Sequence, residues 1–284
     1  MIHEDLIERF ATFFSRVPSA IYELGSRDGE DAARLAAVAP DAQVVAFECN
    51  PDTVATVERR LAIVPNARAI DLAVTDFDGD TTFYKIDPHK TITTWEDGNP
   101  GASSLFVATG KYPIEQYVQT PVSVRAGRLD TLINSETIPP PELVWIDLQG
   151  AELAALRGLG THLGQVGLVY VELSFMGIYE GQPLAKDVIR FLGRRGFVIA
   201  AIPWKGEFQC DVLFVNLRRL GPFARCRAVA QGLNLQLTAI SPERSWSQRR
   251  ATDVAAKLRQ AKRFAGKVAI RSSHPVKRRW APPQ

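Results

Sequence analysis

The stretch Ile21–Gly29, IYELGSRDG, constrains the fold more than any other part of the chain. An apolar run stops at Glu23 and Gly25, and helix-forming residues resume after Gly29. That order is a strand, a tight turn and a helix start, the local shape of a nucleotide-type site in an α/β protein. Gly25 and Gly29 carry no Cβ, so the backbone there can come close to a ligand. A second apolar run, Gln43 to Phe47, ends in Glu48, nineteen residues after Gly29. A carboxylate at the tip of that strand can accept two hydrogen bonds from a ribose diol.

The spacing is Glu-x-Gly-x-x-x-Gly, not the G-x-G-x-x-G of a dinucleotide site. Glu23, Asp28, Glu30 and Asp31 crowd the helix start, where a pyrophosphate would be repelled. A ligand with a ribose, an adenine and positive charge suits them better, and S-adenosylmethionine is such a molecule. The competing reading is a β–α turn whose carboxylates only cap the helix.

Strand and helix patterns alternate from there. A leading helix over Leu6 to Phe14 ends at Pro18. Strands are expected over Ala20–Leu24, Val44–Phe47, Ala67–Val74, Glu142–Ile146 and Val166–Val171, with helices over Asp31–Ala39, Thr53–Ile63, Ala151–Gly158 and Leu184–Arg195 between them. Thr81–Ile86 reads as a hairpin strand pairing back on the third, and Thr120–Ala126 as another strand. Phe197–Ile202 and Asp211–Asn216 read as a closing antiparallel pair. The sum is a mostly parallel, doubly wound sheet over residues 20–217, preceded by the helix of residues 1–19 and followed by an extension, 218–284.

Strand ends in such sheets carry the ligand site. Here they bear Glu23, Glu48, Asp71, Asp147 and Glu172. Clustered acids repel one another unless a cation or hydrogen-bond donors intervene, although Asp71 can equally be a solvent-facing cap. The segment 87–119 lacks periodicity, holds three prolines and three glycines, and carries Trp95, Phe106, Tyr112 and Tyr117. Long irregular segments with such aromatics are usually functional.

The chain resembles the FkbM-like methyltransferases. The resemblance rests on YELGSRDG at 22–29, AFECNP at 46–51, DLAVTDFDGDTTFYK at 71–85, GASSL at 101–105, GRLDTLI at 127–133, WIDLQGAELAALRG at 145–158, YVEL at 170–173 and DVLFVN at 211–216. It implies a Rossmann-like class I methyltransferase fold, S-adenosylmethionine as cofactor, and O-methylation of a hydroxyl on a sugar, polyketide or similar molecule. It places Glu23, Gly25, Ser26 and Gly29 around the methionine part of the cofactor and Glu48 on the ribose. Asn50 falls beside the adenosine, Leu72 and Ala73 near the adenine, Ser103 and Ser104 over the cofactor, and Asp147 near the sulfonium and the acceptor. Glu23 stands where the family often has Asp, which changes reach but not charge.

Methyl transfer to an alcohol also needs a general base. Asp147 is the first candidate, Glu172 the second and His89 the third, His89 having a solvated loop residue as its plainer reading. Glu152 is expected to hold loop backbone. No His-rich cluster points to a metal. The three cysteines, Cys49, Cys210 and Cys226, form no C-x-x-C pair, no apolar run approaches the roughly 20 residues of a membrane span, and the acidic, amphipathic start is unlike a signal peptide, so a cytoplasmic protein is expected.

The net charge of +3 conceals an asymmetry: 14 Lys/Arg against 2 Asp/Glu from Gly221 onward, 20 against 29 before it. A basic amphipathic helix is expected over Ala251–Ala265, with a Pro-rich end. The extension can be a solvated tail, a contact to an anionic membrane, or, least favoured, a nucleic-acid contact. The alternative to a methyltransferase acting on a small-molecule or glycan acceptor is a non-catalytic binding protein of the same fold.

Overall fold

A computed structural model describes residues 2–239. In chain order the elements are α1 (Ile2–Phe14), β1 (Ala20–Leu24), α2 (Glu30–Val38), β2 (Gln43–Glu48), α3 (Val54–Leu61), β3 (Ala67–Asp71), β4 (Ala73–Val74), β5 (Gly79–Ile86), β6 (Gln119–Gly127), α4 (Leu129–Asn134), β7 (Leu143–Ile146), α5 (Glu152–Gly158), β8 (Leu168–Ser174), α6 (Ala185–Gly193), β9 (Phe197–Lys205), β10 (Gln209–Asn216) and α7 (Pro222–Ala239). The expected helix over Ala251–Ala265 and the Pro-rich end lie outside the described residues.

Seven strands form the central sheet in the order β3-β2-β1-β7-β8-β10-β9. The first five are parallel, and β10 runs antiparallel between β8 and β9. This is the class I methyltransferase topology that the alternation and the closing pair implied. The order reverses between β1 and β7, which opens a crevice at their carboxyl ends.

Both faces of the sheet are buried, as a parallel sheet requires. Successive residues of β1 divide between them: Tyr22 and Leu24 join the core beneath α4, α5 and α6, while Ile21 joins the core beneath α1, α2, α3 and α7. The leading helix places Leu6, Ile7 and Phe10 in that second core. At the chain's other end, a Cβ on Gly232 of α7 would meet the Ile199 carbonyl oxygen at 3.0 Å, so this helix lies close on β9.

Three strand expectations need correction. The run Ala67–Val74 is not one strand but breaks at Leu72. The Leu72 N–H donates to the Glu48 carbonyl at 3.0 Å, ending the ladder with β2, and Ala73–Val74 then pair with Ala126–Gly127. Nor does β5 fold back on β3. It pairs along its whole length with β6, giving a second sheet, β4-β6-β5. Phe83, Val124 and Ala126 build a small core of their own there with Ala73. Finally, β8 continues past Val171 to Ser174, so Glu172 lies within a strand, opposite Asp211.

Candidate active site

The turn after β1 is pressed against two neighbouring strand ends. The N–H groups of Gly25 and Ser26 both donate to the Phe47 carbonyl at 3.0 Å, and Asp147 N–H donates to the Leu24 carbonyl at 3.0 Å. Gly25 has φ +88°, and a Cβ on it would stand 1.9 Å from the Asp147 carbonyl oxygen. Only glycine fits this approach. Gly29, at φ +78°, answers a different need: its missing Cβ leaves room for Val57 of α3, 3.3 Å away.

Glu48 ties the turn to the tip of β2. Its carboxylate accepts from Arg27 N–H at 2.7 Å, Cys49 N–H at 2.9 Å and Asn50 N–H at 2.7 Å. Burial raises its pKa, and these three bonds oppose the rise. Glu23 is 2 % exposed and is raised well above the ordinary carboxylate range by the same loss of water, although Ser26 Oγ donates to it.

Beyond β7 the chain passes through Gln149, a non-glycine residue at φ +50°. Ser104 Oγ donates to the Gln149 carbonyl at 2.7 Å and holds this bend. The side chain of Gln149 then bridges two acids: its Nε2 donates to Asp147 Oδ1 at 2.7 Å and to Glu172 Oε2 at 3.2 Å. The single Tyr179 O–H proton is shared between the Ala102 carbonyl at 2.7 Å and Gln149 Oε1 at 3.1 Å. Gln209 Nε2 donates to Glu172 at 2.6 Å, and Tyr112 Oη reaches Gln209 Oε1 at 3.4 Å. Burial lifts Asp147 to about 6, against the Gln149 bond that lowers it. Glu172 is pushed well above its ordinary value, by burial first and then by the charge of Asp147. Glu152 is lifted to about 7 by burial, and its carboxylate accepts from the Gly150 and Leu148 N–H groups at 2.8 and 3.3 Å, so it does hold loop backbone.

A cleft of about 380 Å³ lies over these strand ends. Phe47, Leu72, Ala73, Val74, Phe83 and Leu105 give it apolar lining, and Glu48 and Asn50 line it too. Trp95, Tyr112, Tyr117, Trp204, Glu115 and Gln209 add aromatic and polar lining. Gly25, Asp147 and Gln149 line the cleft as well, as do Glu172 and Ser103. Segment 87–119 supplies much of the aromatic lining. Glu115 pins that segment by accepting from Thr93, from Asn99 Nδ2 at 3.1 Å and from Tyr117 Oη at 2.6 Å. The Arg27 guanidinium lies 5.3 Å over Trp95 and pairs with Asp97.

Of the residues expected at the site, Gly25, Glu48, Asn50, Leu72, Ala73, Asp147 and Glu172 line the cleft. Glu23, Ser26, Gly29 and Ser104 support its walls through the contacts described above. His89 stands exposed on the turn after β5 and is not part of the lining. Asp71 is exposed at the end of β3.

The family model for the methyltransferase FkbM domain matches residues 23–199. The chain belongs to this family. The match runs from Glu23 past Glu172 and so covers every expected site residue, and the enzyme reading stands over that of a non-catalytic binding protein. The 2-O-methyltransferase NoeI of Sinorhizobium fredii (strain NBRC 101917 / NGR234) is 27% identical over 176 residues, 61% of this chain and 70% of that protein. Among solved structures, the O-methyltransferase TomG from Streptomyces achromogenes, involved in tomaymycin synthesis and in complex with SAM, shares 15% identity. It covers 76% of this chain and 78% of its own, at a TM-score of 0.42. A putative O-methyltransferase from Klebsiella pneumoniae shares 12% over 76% and 78%, also at 0.42. Both likenesses are too loose to bear on the site.

S-adenosylmethionine is the cofactor that membership in this methyltransferase family implies, and the cleft fits it. The apolar lining suits an adenine, the Glu48 carboxylate in the same lining can accept from a diol, and the buried acids of the strand ends have no Lys or Arg ion-pair partner among the described residues. The residues missed in the sequence are Gln149, Gln209, Tyr179 and Glu115. Of these only Gln149 had a usable sign, its place in the IDLQGAE segment.

No helix among the described residues is long and apolar enough to cross a membrane.

Proposed function

We propose that the protein transfers a methyl group from S-adenosylmethionine to a hydroxyl oxygen of a saccharide or a secondary metabolite, with Asp147 as general base. The observation that carries this reading is the amide-bridged pair Asp147–Gln149–Glu172 in the lining of a cleft that Glu48, Leu72 and Ala73 also line. The name of the similar 2-O-methyltransferase supports an oxygen acceptor.

When bound, S-adenosylmethionine supplies an electrophilic methyl carbon on a cationic sulfur. Glu48 and Asn50 hold the ribose side, and Leu72 and Ala73 flank the base. The chain's task would be to hold the acceptor hydroxyl facing the methyl group that the cofactor supplies. Asp147 would accept the proton that the hydroxyl loses. Burial raises both Asp147 and Glu172, and the Gln149 amide that bridges them opposes the rise. Asp147, at about 6, is largely ionised at neutral pH and can accept a proton. Glu172, pushed well above its ordinary value by burial and by the charge of Asp147, accepts from Gln149 and Gln209 and serves to position them. Tyr112, Tyr117 and Trp204 offer flat faces to an acceptor ring.

Calorimetric titration with S-adenosylmethionine and S-adenosylhomocysteine tests the cofactor. Binding of both in the micromolar range is expected, and binding of neither would overturn the reading. Incubation with labelled S-adenosylmethionine and a panel of glycans and hydroxylated metabolites then tests the acceptor class.

A further inference from the structure

The corner where α6, the end of β10 and the start of α7 meet carries five exposed arginines from three segments. Arg194 and Arg195 follow α6, Arg218 and Arg219 follow β10, and Arg225 lies in the first turn of α7. The backbone gathers them. Leu217 N–H donates to the Gly196 carbonyl at 2.9 Å, and a Cβ on Gly196 would meet Arg218 Nε at 2.9 Å. Arg225 donates from Nε to the Leu217 carbonyl at 2.9 Å and from Nη2 to the Leu220 carbonyl at 3.1 Å. The carboxylate paired here is Glu142, which Arg219 shares with Arg16. Among the described residues, Arg194, Arg195, Arg218 and Arg225 have no carboxylate partner. Phe223, 92 % exposed, stands in the same first turn of α7.

Like charges held this close repel one another, and an almost bare phenylalanine gains nothing from water. Both conditions are relieved at an anionic bilayer surface, where the ring enters the acyl boundary and the guanidinium groups meet headgroup phosphates. Nucleic acid fits less well, because bases stack on grouped aromatic faces and Phe223 is the one exposed aromatic ring of this corner among the described residues. We propose that this corner docks the protein on membranes bearing anionic phospholipids. It lies at the end of the sheet where the parallel strands begin, since Val215 pairs with Leu168 and Asn216 with Phe197. The cleft lies at the opposite end, so a docked molecule turns its cleft toward the aqueous phase.

Residues 240–284 add 12 Lys/Arg against 2 Asp/Glu, an electrostatic contribution that the test must separate from that of the corner. The test is co-sedimentation of the full chain with phosphatidylcholine vesicles, with and without phosphatidylserine. Binding is expected only with phosphatidylserine and weakens as salt is raised. The combined variant Arg194→Glu, Arg195→Glu, Arg218→Glu, with the basic tail intact, should bind on the order of tenfold more weakly or worse. Phe223→Ser, at an exposed position, should also bind more weakly and is the fallback should the charge reversals impair folding. Unchanged melting and S-adenosylmethionine affinity mark the variants as folded. Parent-like vesicle binding by both variants would overturn the proposal and assign binding to the tail. So would failure of the parent to bind phosphatidylserine vesicles, or its preference for a DNA oligonucleotide over them.

Discussion

At the end of the sheet where the parallel strands begin, Glu142 is held by the Arg16 guanidinium through both oxygens, by Ser19 N–H at 2.9 Å and by Arg219 at 3.3 Å. These partners, Arg16 above all, pull its carboxyl down to about 2. At the other end, Glu23, Glu48, Asp147 and Glu172 are held by backbone N–H groups, one serine and two glutamine amides, and burial pushes all four upward. The same residue types in one sheet thus serve two purposes. Glu142 and its arginines stabilise the fold internally. The strand-end acids leave a cation's place open, and the account assigns that place to the cofactor.

Breaking the functional end should have the largest effect. Asp147→Asn keeps the shape but removes the proposed base, and methyl transfer should fall by about 10²–10⁴-fold. S-adenosylmethionine affinity near pH 7, read by calorimetry, should fall by only about tenfold, as it would on protonating Asp147. Glu48→Ala removes the carboxylate assigned to the ribose and leaves three N–H groups unmet. Cofactor affinity should drop by on the order of 100-fold, and near-parental affinity would remove Glu48 from the cofactor site.

The structural end should respond in stability alone. Glu142→Gln should cost about 2 kcal/mol in chemical denaturation, allowing for the partly exposed Arg16, with cofactor affinity intact. The sign follows from the lowered pKa. The contribution of Glu142 is complete above its ordinary 4.5 and fades as pH falls toward about 2, so the variant should lose the steep acid limb of the parent's stability profile.

Gln149→Met is the finest probe. The amide lowers the Asp147 pKa, so its loss should move the acid limb of the pH–rate profile to higher pH, with a several-fold loss of rate near pH 6. A purely structural role for Gln149 would lower the rate at every pH alike.

Glu23, Glu48 and Asp147 were legible because they end apolar runs at readable spacing, and the pattern gave the parallel sheet for the same reason. Glu172 was legible as an acid but not as a mid-strand residue, since nothing local marks Leu173 and Ser174 as still paired. Gln149 and Gln209 were not legible as partners. Their meeting at Glu172 depends on β10 lying beside β8 and on a left-handed bend at residue 149, both long-range outcomes. The second sheet was missed because Leu72 continues the β pattern while its N–H and its neighbours change partners.

Calorimetry of S-adenosylmethionine binding near pH 6, in two buffers of different ionisation enthalpy, tests the central claim most directly. A cation beside acids that burial has raised favours their ionised form, so its arrival drives protons off them. The account predicts that binding releases protons and that affinity rises with pH through the Asp147 value of about 6. Binding with no buffer-dependent heat, and no change in affinity from pH 5 to 7, would contradict it.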